Sequence, residues 1–151
     1  MKILNKEEYK NIVKEEGDYM EFEYFGFPCV IKRIEGSGHW CGYVGVPKHS
    51  RLNEKNYYYS SGSELGLSKL EEAINNIDVH GGLTFAGKLK EKEGDSTYYF
   101  GFDCAHSGDL VEYYFDYPKS LSNIFYRNKD YVIEECKKLA LQLKGIIDLG
   151  I

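Results

Sequence analysis

The sequence predicts an α+β fold: a single antiparallel sheet of about five strands, a C-terminal helix packed across one face, and one or two short helices. Strand-like segments come in groups joined by short turns, which favours antiparallel neighbours. Helical patterns lie near the two ends of the chain and in one internal insertion. Fourteen tyrosines, eight phenylalanines and one tryptophan make up 15% of the residues, and this aromatic content is typical of strands.

Length and charge narrow the class of protein. The chain has 151 residues, which predicts a single domain over residues 1–151. The net charge of −5 argues against a nucleic-acid polymer as partner, because affinity for a phosphate backbone comes from clustered Lys and Arg. A small anionic ligand is still compatible with this charge. The sequence has no secretory signal and no run of about 18 apolar residues, so we expect a cytoplasmic protein that does not bind membranes.

The predicted elements follow from apolar spacing and from capping residues. Helix N-caps are predicted at Asn5 and Ser68, each followed three residues later by a Glu, and a 4-3-4-3 apolar spacing predicts the last helix. Long loops are predicted at 48–66 and 107–128, and the connector at 87–96 is predicted to be an exposed hairpin end. The predicted helices cover residues 5–17, 67–77 and 129–145. The predicted strands cover residues 20–27, 29–34, 39–46, 79–85 and 97–103.

Helix would then cover one face of the sheet, and the other face would be free for a ligand or a second subunit. The four cysteines contain no CxxC pair, so we expect reduced, buried thiols without a disulfide. They are Cys29, Cys41, Cys104 and Cys136.

Two glycine-flanked histidine segments, 79–85 and 101–109, are the candidate site. If strands 79–85 and 97–103 pair with their hydrophobic sets inward, four side chains are predicted to share one polar face, and His106 lies just past the strand end. The glycines Gly81 and Gly82 can present backbone N–H groups to a phosphate. The four converging side chains are those of His80, Thr84, Tyr99 and Asp103.

Each part of this site has a second interpretation. One histidine could be a hydrogen-bonded core group, with Asp103 and Asp109 fixing a turn. Trp40 and Tyr43 could stack on a base, or Trp40 could be a core aromatic packed on the last helix. A metal set of His80, Asp103, Cys104 and His106, with or without His39, has no established zinc spacing, so no metal and no cofactor are expected. A Cys104–His nucleophile pair has equally weak support.

Three motifs resemble a family of small, uncharacterised proteins encoded by phages and prophages. The motifs are HWxGYVxVP at residues 39–47, HGGLTF at residues 80–85 and GFDCAHxGD at residues 101–109. They span most of residues 38–109, and the final helix is similar as well. The resemblance implies a phage-linked setting, in which small accessory proteins often counter host defence. It implies no catalytic assignment.

We therefore expect a non-enzymatic, homo-oligomeric protein that sequesters a small nucleotide-derived signalling molecule, in the host cell cytoplasm if phage-encoded. One alternative is a phosphodiesterase-like hydrolase that uses His80 and His106, with Asp103 as the orienting group. Another is a protein-binding inhibitor of a host defence enzyme, anchored by tyrosine-rich loops at 57–59 and 113–117. The residues expected to contact the ligand are His80, Gly81, Gly82, Thr84, Tyr99, Asp103, His106, Trp40 and Tyr43.

Overall fold

A computed structural model describes residues 2–3, 5–56 and 68–150. The helices are α1 (Lys6–Glu16), α2 (Lys69–Asn75) and α3 (Lys129–Leu149). The strands are β1 (Tyr19–Tyr24), β2 (Phe27–Arg33), β3 (Trp40–Val46), β4 (Phe85–Gly87) and β5 (Tyr98–Asp103). Short 3-10 turns occupy Lys90–Lys92, Glu112–Asp116 and Pro118–Leu121. The predicted tyrosine anchor at 57–59 lies outside the described residues.

The five strands form one sheet in the order β1-β2-β3-β5-β4, and all four neighbouring pairs are antiparallel. Helix α3 packs on one face of this sheet and shares a single core with inward-facing residues of β2, β3 and β5. The predicted α+β fold is therefore confirmed. The buried stripe of α3 consists of Val132, Cys136, Leu139, Ala140, Leu143 and Ile146.

Capping residues start the helices where the sequence predicts. The Asn5 side chain accepts a hydrogen bond of 2.8 Å from the Glu8 amide, and Ser68 forms a reciprocal capping box with Glu71. Helix α3 ends four residues later than predicted, because Gly145 is tolerated inside it and the left-handed terminating glycine is Gly150, with φ +67°. No helix in the described ranges has both the length and the hydropathy of a membrane span.

The second face of the sheet is not free, contrary to expectation. Residues 88–97 fold back over it, and Leu89 inserts into a small apolar cluster on this face. Two ion pairs, Lys32 with Glu91 and Lys92 with Glu21, hold the 3-10 turn Lys90–Lys92 against the sheet. The connector is thus the hairpin end between β4 and β5, exposed on its outer side, and it also covers part of the second face. The buried members of the cluster are Val30, Cys41, Tyr43, Leu89 and Tyr99.

The predicted strand at 79–85 is largely wrong. Only Phe85–Gly87 pairs with β5, with Phe85 opposite Gly101. The chain before it turns at Gly81 and Gly82, where φ is +69° and +79°. Two consecutive left-handed residues cannot continue a strand. The alternation of side chains between the two faces of a strand therefore does not apply to His80.

Candidate functional site

A buried aspartate holds the two histidine segments together. The Asp109 side chain is 0% exposed. It accepts hydrogen bonds from His80 Nε2 at 2.7 Å, the His106 amide at 2.9 Å and Arg127 Nε at 2.8 Å. Burial alone would raise the pKa of Asp109, but the hydrogen bonds from His80, Arg127 and the His106 amide outweigh burial and lower it. Asp109 is therefore ionised at neutral pH.

His80 is fully occupied by contacts within the protein. Because a carboxylate only accepts hydrogen bonds, Nε2 carries the proton towards Asp109. The other ring nitrogen, Nδ1, lies 2.7 Å from the Tyr131 hydroxyl, and the backbone amide donates to Glu135 Oε1 at 2.8 Å. The His80 side chain is only 12% exposed. It thus fixes the turn to α3, and neither ring nitrogen is open to a ligand.

His106 is more accessible than His80, with 34% of its side chain exposed against 12%. Its Nε2 atom lies 3.2 Å from Asp103 Oδ1, but the two groups are not aligned for a hydrogen bond, and Nε2 has no such partner among the described residues. The ring packs directly on Gly81. We call His80, Gly81, Asp103, His106 and Asp109 the histidine cluster.

The packing of the His106 ring on Gly81 can be tested by mutation. A Cβ at Gly81 would lie 2.2 Å from the imidazole, whereas a Cβ at Gly82 would meet no described atom within 4 Å. Both glycines have positive φ, so both alanine variants carry the same backbone strain. We expect Gly81→Ala to lower the free energy of unfolding by about 1–2 kcal/mol more than Gly82→Ala, measured by urea denaturation. Equal losses would mean that the ring does not pack on Gly81.

The structure does not bring the predicted aromatic platform together. Trp40 and Tyr43 are three positions apart on β3, so their side chains point to opposite faces. Trp40 is 0% exposed in the α3-side core, and its Nε1 donates to Glu16 and to Tyr126. Tyr43 is buried on the other face. The core interpretation of Trp40 is the one that the structure supports.

The predicted convergence of four polar side chains is also wrong. Tyr99 is 1% exposed and lies in the cluster beneath the connector, while Asp103 is partly exposed beside His106. His80 lies in the turn, and the Thr84 amide donates to the Gly101 carbonyl at 2.9 Å at the start of the short pairing. Of the expected ligand contacts, the structure groups His80, Gly81, Asp103 and His106, and it separates Tyr99, Trp40 and Tyr43 from them.

Metal binding and thiol chemistry find no support in the geometry. Within the described part of the chain, no group of three or more His, Cys, Asp or Glu is arranged to hold a metal ion. All four cysteines are buried and unpaired, as the sequence predicts. Burial raises the pKa of Cys41 to about 11 and that of Cys29 to about 12, and it raises the pKa of Cys104 as well. A reactive thiolate is therefore disfavoured.

A cleft that the sequence did not indicate lies beside α1. It has a volume of about 540 Å³ and is bounded by α1, by the turn at residues 34–38 and by Glu112; we call it the α1 cleft. Tyr9 is buried at its base and donates to the Gly38 carbonyl at 3.1 Å. Arg33 also borders it, but each guanidinium nitrogen is already bonded within the protein. The base of the cleft is thus rigid.

Charged side chains that a ligand could contact line the α1 cleft from α1 and from the two other elements that bound it. Lys10 and Lys14 are exposed on α1, one helical turn apart, and neither forms an ion pair with a described residue. Glu35 and Glu112 line the cleft from the other two elements. The spacing of the lysines can be read from the sequence, but their position opposite the 34–38 turn depends on tertiary packing.

A backbone hydrogen bond links the α1 cleft to the histidine cluster. The Glu112 amide donates to the Ser37 carbonyl at 2.8 Å, so the segment that follows Asp109 is tied to the turn of the cleft.

Comparison of the chain with known protein families, curated proteins and solved structures finds no match.

Proposed function

We propose that this protein binds and retains a small nucleotide-derived molecule in the α1 cleft without converting it. The observation that carries the proposal is the cleft itself, about 540 Å³ in volume, with Lys10 and Lys14 on one wall and without ion-pair partners among the described residues. Sites for small molecules usually enclose about 300–1,000 Å³ and contain a few placed polar groups. Two ammonium groups one helical turn apart suit a phosphate group.

Capture has more support than hydrolysis. Both ring nitrogens of His80 are bonded to internal side chains, Asp109 and Tyr131, and the His80 side chain is only 12% exposed, so the phosphodiesterase-like alternative has no open ring nitrogen here for a substrate to contact. His106, Asp103 and Gly81 do not line the α1 cleft, so ligand contacts by these residues stay a separate prediction. The motif resemblance adds a phage-linked setting to the proposal, in which the protein sequesters an immune signal in the host cytoplasm. Homo-oligomerisation stays a separate prediction.

The proposal predicts that charge reversal at Lys10 and Lys14 abolishes retention. A hydrogen bond to a charged group contributes about 1.5–3 kcal/mol, and about 1.4 kcal/mol is tenfold in affinity. We therefore expect Lys10→Glu combined with Lys14→Glu to weaken binding at least about 100-fold. Isothermal titration with 5′-AMP, 3′,5′-cyclic AMP and ADP-ribose measures this loss.

A matched control is the double variant Lys88→Glu with Lys90→Glu. These lysines are exposed on the connector, and their reversal changes the net charge by the same amount. The control is expected to bind as the wild type does. An equal loss in both double variants would show a general charge effect, and no wild-type binding to any of the three ligands would remove the proposal.

A second candidate function is inhibition of a host protein. It is favoured by Tyr113 and Tyr117, which are 55% and 65% exposed in the segment after Asp109, since tyrosine is enriched at interface hot spots. Stoichiometric co-purification of a host enzyme that is lost in Tyr113→Ala combined with Tyr117→Ala, but kept in the Lys10 and Lys14 variant, would favour this function over ligand capture.

A further inference from the structure

The α1 cleft is lined by both cationic and anionic side chains, and the proposed function uses only the cationic ones. Lys10 and Lys14 can only donate hydrogen bonds, and the carboxylates of Glu35 and Glu112 can only accept them. Arg33 also lines the cleft, but its guanidinium is 6% exposed and bonded within the protein. Asp18 lies 3.1 Å from Arg33 Nε with its side chain 77% exposed, and it adds a further acceptor at the rim. A fitting ligand therefore needs an anionic group towards α1 and hydrogen-bond donors towards the carboxylates.

Backbone hydrogen bonds hold the segments that carry Glu35 and Glu112. The turn that carries Glu35 is closed by a hydrogen bond of 2.8 Å from the Gly38 amide to the Ile34 carbonyl. Gly38 cannot be exchanged for a larger residue, because a Cβ there would lie 1.8 Å from the Tyr9 hydroxyl. The Glu112 amide is bonded to the same turn. The backbone positions of both glutamates are thus fixed, so binding has to order only their side chains.

We propose that the ligand of the α1 cleft is a nucleotide with a free ribose cis-diol, whose phosphate lies against Lys10 and Lys14 and whose two hydroxyls donate to Glu35 and Glu112. This inference rests on the proposed function and names its ligand class. Ribose hydroxyls donate to carboxylates, as the single acidic residue that binds the ribose 2′-OH in dinucleotide-binding folds illustrates, and a diol offers one such donor to each glutamate. A purely anionic ligand would meet two carboxylates without donors to offer them, and a 3′-esterified nucleotide offers only one hydroxyl.

The test compares 5′-AMP with 2′,3′-dideoxy-AMP, which keeps the phosphate and the base but lacks the diol. Titration of the wild type is expected to show at least about tenfold tighter binding of 5′-AMP, because unpaired acceptors penalise a ligand that lacks the donors. In Glu35→Gln combined with Glu112→Gln, 5′-AMP is expected to weaken about tenfold while dideoxy-AMP keeps its affinity. Glu93→Gln, on the exposed connector, serves as the control.

The outcomes separate this inference from the proposed function. Equal wild-type affinity for the two nucleotides, with loss of both in the Lys10 and Lys14 variant, overturns the diol assignment and leaves nucleotide capture standing. Binding of neither nucleotide removes both proposals. Tight binding of spermidine that depends on Glu35 and Glu112 would likewise overturn the assignment, because the carboxylates would then bind a cation.

Discussion

Replacing Asp109 with asparagine is expected to lower the free energy of unfolding by about 3 kcal/mol, since breaking a buried ion pair leaves its partners uncompensated. Both carboxylate oxygens accept hydrogen bonds, Oδ1 from Arg127 and Oδ2 from His80 and the His106 amide. Asparagine would place an NH₂ group against one of these donors. Urea denaturation at neutral pH measures the loss.

The matched control is Asp103→Asn. The Asp103 side chain is 28% exposed and meets His106 without an aligned hydrogen bond. Its Oδ1 accepts from the Ala105 amide at 3.0 Å, and the side-chain oxygen of asparagine can accept the same bond. Its replacement is expected to cost less than about 1 kcal/mol. A loss of the same small size at Asp109 would mean that this aspartate does not hold the two histidine segments together.

The contribution of Asp109 to the free energy of unfolding should also depend on pH. Its pKa is lowered in the folded protein, so the folded state binds the proton less tightly than the unfolded chain, whose Asp pKa is about 3.9. The stabilisation is therefore complete above about pH 4 and is lost as the pH falls through the folded pKa. The difference in unfolding free energy between wild type and Asp109→Asn should be constant from about pH 7 to about pH 5 and should shrink below about pH 4. A difference that grows on acidification would contradict the lowered pKa.

Replacing Glu16 with alanine is the second large effect, at about 3 kcal/mol of lost stability. Glu16 Oε1 accepts from Arg33 and from Trp40, each at 3.2 Å, and from the Tyr126 hydroxyl. Its Oε2 accepts from the Lys129 amide at 2.9 Å, at the start of α3. Removal of this carboxylate leaves the Arg33 guanidinium, whose side chain is 6% exposed, with the exposed Asp18 carboxylate as its remaining ion-pair partner.

The neighbouring Glu15 provides the control for Glu16. It is exposed on α1, and Glu15→Ala is expected to change the free energy of unfolding by no more than about 0.5 kcal/mol. Thermal unfolding followed by circular dichroism compares the two variants. If they melt together, the network that joins α1, β2, β3 and α3 contributes little to stability.

The local signals in the sequence were reliable where neighbouring residues decide the structure. Asn5 and Ser68 start their helices through contacts three residues away, and Pro47 follows the end of β3 as predicted. The apolar spacing of α3 correctly placed Cys136 and Leu139 in the core. These outcomes depend on caps and periodicity, which a single sequence carries.

The site was predicted less well because its geometry depends on tertiary contacts. The expected alternation of side chains along a strand fails at His80, because the next two residues, Gly81 and Gly82, are left-handed and form a turn. The same reasoning, applied within β3, puts Trp40 and Tyr43 on opposite faces, so strand parity alone argues against a shared platform. No sequence pattern pairs α1 with the 34–38 turn, so the α1 cleft could not be foreseen.

The most direct test of non-catalytic capture is the fate of a bound ligand. The wild-type protein is incubated with 5′-AMP and ADP-ribose, freed of unbound ligand, and heated, and the released material is analysed by mass spectrometry. We expect wild type to release ligand of unchanged mass in stoichiometric amount, and the Lys10→Glu, Lys14→Glu variant to release almost none. Release of a hydrolysed product would contradict the account, and so would equal retention by the variant.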